Sequence, residues 1–465
     1  MNVLFLSIED LNDFVEPLGG YPGVSTPNIA RLAARGALFE RAYAASPACS
    51  PSRTSVLFGQ APWRTGVYVN RHRWDAVYPK GRRLSLAGRA KEAGFETHGA
   101  GKVFFLAHDG VDPDEWDAYH ATRRGGARRA VGALRHIGFL GAQEDYGPVP
   151  NDEVLYDQIN ADWIAGRITR DADNQFWALG LYRPHLPWLV QQRFFDIYPD
   201  DPAPPPGLDA AFDPYDDRQI AGLPSEAREM IARRGLGRKL HEAGEYGAFL
   251  RAYLASISFA DHLVGALLDR LAETGQDGNT LIVLWSDHGM QFGEKLAFSK
   301  FTLWERALRV PLIFAGPGIA PRRIGQPVSL MDIYPTLAAK MGAPLPHDVD
   351  GADLTPLLDG AAENPDAAAL SIWGKLRDGE EPDRLAISVR SATRRYTRYW
   401  RGGEELYDHE SDPHEKRNRL AGLARFNPKS RRDAASLRTR APLDFARSVA
   451  PEGVFAPGPP KGKSP

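Results

Sequence analysis

The sequence predicts an α/β fold, in which helices cover both faces of a sheet, followed by a smaller C-terminal α+β domain. Short apolar runs rich in β-branched and aromatic residues alternate with helical patterns along most of the chain. The 465 residues are 43% hydrophobic, which is enough for a well-developed core. At residues 359–366 the composition changes to small, acidic and turn-forming residues, where we expect a linker.

Four apolar runs are predicted to be buried strands, with a long helix between the second and the third. The helix extends from about Tyr246 to Glu273, carries apolar residues at near-helical spacing, and has Gly275 as its stop. The predicted strands are Val3–Ile8, Phe176–Leu181, Leu281–Trp285 and Pro311–Ala315.

Two further alternating runs predict the C-terminal domain. Ala386–Val389 and Tyr396–Trp400 alternate as half-buried strands do, and Gly402 and Gly403 form a turn before a third run. The end of the chain is rich in proline, glycine, serine and charge, which is typical of a mobile tail. The predicted divisions are a catalytic domain at 1–365, a C-terminal α+β domain at 366–441 and a tail at 442–465.

The bulk composition excludes several classes of partner. The formal net charge is −2, so no basic surface indicates nucleic acid. No apolar run approaches the roughly 20 residues that cross a bilayer, so no membrane partner is expected. The N-terminus begins directly with a strand-like run and has neither a basic segment nor a small-residue cleavage site, which favours a cytoplasmic protein.

Charged residues follow two of the predicted strands directly. Glu9 and Asp10 come after the first strand, and Asp287 and His288 come after the strand that ends at Trp285. Ligands of open α/β sheets bind at the carboxyl edge of the strands. Oxygen ligands there favour Ca²⁺ or Mg²⁺ over zinc, and we expect Ca²⁺ ahead of Mg²⁺. The alternative is that each acidic residue caps the next helix.

Cys49 is the only cysteine, which excludes an internal disulfide and a thiolate-rich metal site. A lone cysteine is most often a small buried hydrophobic residue. Cys49–Arg53, however, reads Cys-Ser-Pro-Ser-Arg and resembles the signature of the type I sulfatases, Cys or Ser, any residue, Pro or Ala, Ser or Ala, and Arg. That signature marks the cysteine that is oxidised to formylglycine.

The resemblance extends over most of the chain, and it is greatest for the iduronate-2-sulfatase and choline-sulfatase-like branch. It implies an alkaline-phosphatase-like α/β fold. The family usually has Asp where Glu9 stands, and Leu-Thr-Gly-Arg where Leu57–Gln60 stands. The segments that resemble family motifs are Asn2–Asn12, Gly101–Phe104, Arg183–Trp188, Ser286–Gly289, Ser299–Glu305, Arg309–Ile313, Met331–Leu337, and Glu405–Asp408 with Asp412–Glu415 and Asn418.

The resemblance also implies a mechanism. A formylglycine-generating enzyme converts Cys49 to the aldehyde, which is hydrated to a gem-diol; one oxygen attacks sulfur and the other later expels sulfate. The implied substrate is a small sulfated sugar or another alcohol sulfate. The implied metal ligands are Glu9, Asp10, the residue made from Cys49, Asp287 and His288.

The remaining site residues have implied roles around that nucleophile. Asp287 also takes up its proton, and Arg53 holds the formylglycine oxygen and its loop. Lys102 and Lys300 neutralise sulfate oxygens, and Lys300 or His185 protonates the departing alkoxide. A surface arginine, solvated lysines and a structural histidine are the plainer alternatives.

Phe105 departs from the pattern, since the nearest relatives have a histidine there that helps to release sulfate. We hypothesise that His108 replaces that base, against the alternative of a loop histidine without a role. A His108→Ala variant is then expected to release sulfate more slowly, and unchanged steady-state and single-turnover rates would remove the hypothesis.

Two rival functions stay open, a phosphonate monoester or phosphodiester hydrolase and a non-catalytic binder of sulfated ligands.

Overall fold

The computed structural model describes residues 1–70, 72, 74–105, 111–120, 146–208, 212–231, 234–376 and 382–440. Strands and helices are numbered along the chain. An eight-stranded mixed sheet forms the centre of the molecule. In pairing order its strands are β14 (Arg322–Ile324), β2 (Ala37–Phe39), β13 (Leu312–Ala315), β9 (Thr280–Ser286), β1 (Asn2–Ile8), β7 (Gln175–Leu181), β4 (Glu96–Gly101) and β5 (Ala118–His120).

Helices cover both faces of this sheet, as predicted. Strand β1 is buried throughout; Val3 and Phe5 lie in one hydrophobic cluster, while Leu4, Leu6 and Ile8 lie in the other. The helices are α1 (Pro27–Ala34), α2 (Cys49–Phe58), α3 (Pro62–Thr65), α4 (Leu86–Glu92), α5 (Tyr156–Ala165), α6 (Gln192–Phe195), α7 (Ser225–Met230), α8 (Arg234–Glu242), α9 (Tyr246–Thr274), α10 (Glu305–Leu308), α11 (Ile333–Met341), α12 (Thr355–Leu358) and α13 (Pro428–Arg438).

Short 3₁₀ helices and small sheets complete the structure. The 3₁₀ helices are Trp74–Ala76, Asp217–Ile220, Glu294–Leu296, Leu330–Asp332 and Gly422–Phe426. The small sheets pair β3 (Ala42–Tyr43) with β12 (Arg309–Val310) and β15 (Val328–Ser329), β6 (Tyr146–Val149) with β8 (Trp188–Gln191), and β10 (Gln291–Phe292) with β11 (Phe298–Ser299).

The four predicted core strands are confirmed to within one residue at each end. Pro311 stays outside β13, since proline has no N–H for the ladder. The long helix is α9, and Gly275 ends it in the left-handed conformation with φ of 71°. No helix in the described part of the chain is long and apolar enough to span a bilayer.

A second, antiparallel sheet follows the central one. Its strands are β16 (Ala368–Leu376), β17 (Pro382–Ser391), β18 (Arg394–Arg398) and β19 (Glu404–Asp408), and α13 packs against β18. The prediction for Tyr396–Trp400 was wrong at its end, because Tyr399 begins the turn whose N–H bonds to the carbonyl of Gly403. The boundary at residue 365 stays a prediction, and the tail at 442–465 lies outside the described residues.

Candidate active site

The carboxyl edge of the central sheet brings the two acidic segments together. Strands β1 and β9 are parallel neighbours, with Ile8 opposite Ser286, so the residues that follow them leave the sheet side by side. Oδ1 of Asp287 accepts the backbone N–H groups of Asp10, at 3.1 Å, and of His288, at 3.0 Å. Neither segment starts a helix, so the alternative interpretation of the acidic residues as helix caps is wrong.

Cys49 lies at the N-terminus of α2 and faces this edge. Its side chain is buried, and Sγ lies 3.1 Å from Nζ of Lys300, 3.2 Å from Nε2 of His288 and 3.3 Å from Oε1 of Glu9. Burial raises the pKa of the Cys49 thiol to about 12, although Lys300 opposes that shift. The thiol is therefore protonated at neutral pH and is a poor nucleophile as it stands.

Arg53 is one helical turn beyond Cys49 and has its guanidinium in the same cluster. Nε donates to Oδ2 of Asp287 at 2.9 Å, while Nη1 donates to the carbonyls of Lys102 at 2.5 Å and Val103 at 3.1 Å. The side chain is 1% exposed, which excludes the surface-arginine alternative. Arg53 thus links Asp287 to the turn that carries Lys102, and Nη2 has no hydrogen-bond partner among the described residues.

Lys102 and Lys300 are both buried, so the solvated-lysine alternative is wrong for each. The Lys102 ammonium forms an ion pair with Glu9, and Nζ of Lys300 lies 2.7 Å from Oδ1 of Asp10. Burial acts against the charge of Lys300, but Asp10 and the other acidic neighbours raise its pKa. Lys300 is therefore positioned as a cation beside Cys49, and Lys102 pairs with Glu9 in the same cluster.

Nζ of Lys102 lies 5.2 Å from the ring centre of Phe105 and 5.8 Å from that of Tyr182. Aromatic faces attract an ammonium group. Phe105 therefore contributes to holding Lys102 but offers no group for proton transfer. His108 lies outside the described residues.

His185 comes from the loop between β7 and β8. Its Nε2 lies 3.8 Å from Oε1 of Glu9, and its Nδ1 lies 2.5 Å from the carbonyl of Leu186. Donation to that carbonyl places the proton on Nδ1, so Nε2 presents its lone pair to the site. Burial lowers the pKa of His185 to about 4 despite Glu9, so the ring is neutral at pH 7.

Asp157, on α5, bonds to the loop that carries His185, and the sequence interpretation missed it. Its side chain is 3% exposed, and its two carboxylate oxygens accept the N–H groups of Tyr182 and Arg183, each at 2.8 Å. These bonds fix the start of the loop that carries His185. No local sequence signal marks Asp157, because its partners lie about 25 residues further along.

Replacing Asp157 with asparagine is expected to lower kcat/KM about tenfold, because one N–H of the loop would face an amide NH₂ and His185 would shift. The buried mismatch is expected to cost about 1–3 kcal/mol of unfolding free energy. Denaturant unfolding and steady-state kinetics measure the two effects. Asp261→Asn is the matched control, since Asp261 is also buried and accepts the N–H groups of Asn28 and Ile29; an equal loss of activity there would contradict a role for Asp157 in the site.

The donor set fits a hard divalent cation. Three carboxylates and a histidine converge, and ligand atoms of Glu9, Cys49 and Asp287, and of Asp10, Cys49 and His288, lie within 4.8 Å of one another. Oε2 of Glu9 is buried without a hydrogen-bond partner in the described part of the structure. Burial acts to raise the pKa of Glu9, but His185, Lys102 and Lys300 hold it well below its usual range. An ionised carboxylate oxygen with a free lone pair is a suitable ligand for Ca²⁺ or Mg²⁺.

Fold and site together define an α/β enzyme whose charged groups surround one buried residue at the carboxyl edge of the sheet. The chain belongs to the sulfatase family: the family model described as "Sulfatase" matches residues 1–343. Members of this family are sulfuric ester hydrolases, so the enzyme class predicted from the sequence is confirmed.

Curated relatives also agree with the predicted branch. A sulfatase of Formosa agariphila is 32% identical over 89% of this chain and 82% of its own length. The choline-sulfatase of Rhizobium meliloti is 30% identical over 94% of this chain and 84% of its own. The human iduronate 2-sulfatase is 29% identical over 68% of this chain and 60% of its own.

Solved structures confirm the predicted fold. The phosphonate monoester hydrolase of Agrobacterium radiobacter superposes with a TM-score of 0.77 over 96% of both chains, at 20% identity. A 2-O GAG sulfatase superposes with a TM-score of 0.72 over 96% of this chain and 92% of its own, at 22% identity. At these identities the likeness concerns the fold alone.

Proposed function

We propose that this enzyme hydrolyses a sulfate ester with formylglycine, made from Cys49, as the source of its nucleophile. The observation that carries the proposal is the position of Sγ, which lies within 3.3 Å of Lys300, His288 and Glu9. A thiol whose pKa is raised to about 12 is unsuited to attack on its own. Conversion to a hydrated aldehyde would place an oxygen nucleophile among the same groups.

Glu9, Asp10, Asp287 and His288 would hold the divalent cation, which we propose to be Ca²⁺. When bound, the cation supplies Lewis-acid chemistry that neutralises anionic oxygens and lowers the pKa of a hydroxyl group. The described cluster contains three carboxylates, and Lys102, Lys300 and Arg53 oppose their charge. A divalent cation would therefore make the site net positive and attractive to an anionic ester.

The chain's own residues divide the proton transfers. Asp287 accepts the proton of the nucleophile, since its pKa is lowered by Arg53 against the effect of burial and it is ionised at neutral pH. Lys300 supports proton delivery to the departing alkoxide better than His185 does, because Lys300 is protonated and His185 is neutral. Lys102 neutralises the charge of the sulfate oxygens. Nη2 of Arg53, which has no hydrogen-bond partner among the described residues, donates to the oxygen at position 49.

The substrate is proposed to be a small sulfated sugar or another alcohol sulfate. The relatives named choline-sulfatase and iduronate 2-sulfatase support small sulfated substrates. A structural neighbour with 20% identity and a TM-score of 0.72 was solved with D-glucosamine-2-N,6-O-disulfate, so this fold accommodates a sulfated sugar. A formylglycine-generating enzyme is the proposed maturation partner.

The test of this function compares kcat/KM for an aryl sulfate, a phosphodiester and a phosphonate monoester that share one leaving group. We expect the sulfate to be preferred by at least about tenfold, which is 1.4 kcal/mol of transition-state binding. Preference for either phosphorus ester would contradict the proposal and favour the rival hydrolase. Metal-dependent release of free sulfate excludes the non-catalytic binder.

A further inference from the structure

Lys300 lies in a segment whose backbone is unusual. Eight non-glycine residues in the described part of the chain have positive φ, and four of them lie within Lys295–Phe301. Ser299 and Phe301, each with φ of 75°, flank Lys300 directly. This conformation is unfavourable for residues with a Cβ atom and persists only where neighbouring structure imposes it.

Two buried glutamates of the C-terminal region bond to Trp304 and Glu305, which follow this segment. Oε2 of Glu405, in β19, accepts the indole N–H of Trp304 at 2.9 Å. Oε2 of Glu415 accepts the backbone N–H of Glu305 at 3.0 Å. Both glutamates are at most 1% exposed, so water does not compete for these bonds.

An aromatic contact strengthens the same anchor. Nζ of Lys295 lies 4.6 Å from the ring centre of Trp304 and 4.5 Å from that of Tyr407, the second residue after Glu405. Next to Lys300, the N–H of Phe301 donates to the carbonyl of Pro47 at 3.2 Å, and Pro47 lies two residues before Cys49. The segment is thus held between the C-terminal sheet and the loop that precedes Cys49.

We propose that Glu405 and Glu415 are positioning residues that hold the strained Lys300 segment so that its ammonium group reaches position 49. The inference rests on the proposed function of Lys300. It makes the C-terminal sheet a structural part of the active site, although neither glutamate contacts the reacting atoms.

The experiment uses the whole chain with four test substitutions and one control substitution. Trp304→Phe keeps a ring but removes the N–H that Glu405 accepts, and Glu405→Ala removes the acceptor. Each is expected to lower kcat about tenfold or more with little change in KM, because a small displacement of Lys300 is costly. Glu405→Gln keeps an acceptor and is expected to retain most of the activity. Ser299→Gly removes the Cβ atom that makes a positive φ unfavourable. Added to Trp304→Phe, it is expected to raise kcat about threefold or more above that of Trp304→Phe alone.

Asn174→Gly is the matched control, because Asn174 also has a positive φ, of 51°, but precedes β7 at the opposite edge of the sheet. If Trp304→Phe keeps full activity, or if Asn174→Gly restores as much as Ser299→Gly, the inference is wrong. Hydrogen exchange gives a readout independent of catalysis: the amides of 299–303 are expected to lose protection in Trp304→Phe and regain it with Ser299→Gly. Absence of sulfatase activity in the wild-type enzyme would contradict the proposed function. The exchange data would still test whether the bond between Trp304 and Glu405 holds residues 299–303 in place.

Discussion

A Cys49→Ala variant, prepared and matured in parallel with the wild type, is expected to lose about 10³-fold or more in kcat/KM for a sulfate ester, the loss typical of removing a nucleophile. The substitution removes the side chain on which Lys300, His288 and Glu9 converge. Cys49→Ser is expected to lose as much when the maturation enzyme leaves the serine unconverted, because a serine hydroxyl is not a hydrated aldehyde. Steady-state sulfate release measures both.

Ser50→Ala is the matched control for these variants. Ser50 is the next residue of α2, it is buried, and its hydroxyl has no hydrogen-bond partner among the described residues. We expect near wild-type activity for Ser50→Ala. Retention of wild-type activity by Cys49→Ala would contradict the assignment of position 49 as the nucleophile's precursor.

Removal of divalent cations is expected to lower kcat by about 10²–10³-fold, since the cation supplies several kcal/mol of transition-state stabilisation. Titration of the chelated enzyme is expected to restore activity with Ca²⁺ at lower concentration than with Mg²⁺, because a cluster of three carboxylates suits the larger and less geometrically demanding ion. Ca²⁺ is also expected to raise the melting temperature, since it binds the folded protein.

Asp287→Asn is expected to abolish the Ca²⁺-dependent rise in melting temperature. It also weakens the buried pair with Arg53, where loss of one partner costs about 3–5 kcal/mol. Glu115→Gln is the control, because Glu115 is also buried but bonds to Ser85 away from the cluster. Full activity after exhaustive chelation, or an unchanged Ca²⁺ response in Asp287→Asn, would contradict the metal site.

Much of the fold was predictable because the central strands are apolar without interruption. Strands β1 and β9 are buried on both faces, so nearly every position is hydrophobic and their limits are visible in the sequence. The two-residue strands β10 and β11 were not predictable, since their pairing depends on the fold around them. The limit of β18 was misplaced because Tyr399 and Trp400 are as β-prone as the strand before them.

The residues of the candidate site also fall into two groups, those that the sequence indicated and those that only the structure revealed. Glu9, Asp287 and Cys49 stand in local motifs, so the sequence indicated their residue types and order. Asp157 and Glu405 act through partners distant in sequence, and only the folded chain brings each pair together. The sequence indicated that Arg53 holds the formylglycine oxygen and its loop, whereas the structure shows bonds from Arg53 to Asp287 and to the Lys102 turn.

Glu9, where the family usually has aspartate, illustrates what packing adds. Its longer side chain reaches both Lys102 and Cys49 from the end of β1. The extra methylene is therefore accommodated without separating Glu9 from the cluster. The ring of Phe105 lies beside the Lys102 ammonium group, and the rate of sulfate release measures the effect of this replacement.

The proposed function depends on the chemical state of position 49, which mass spectrometry of the tryptic peptide Ala42–Arg53 measures. The protein is produced together with a formylglycine-generating enzyme, and the aldehyde is trapped with a hydrazine reagent before a second measurement. We expect a peptide whose CH₂–SH group has become an aldehyde, with a hydrazone after trapping and with activity proportional to the converted fraction. A peptide that carries only the unmodified thiol in a fully active enzyme would contradict it.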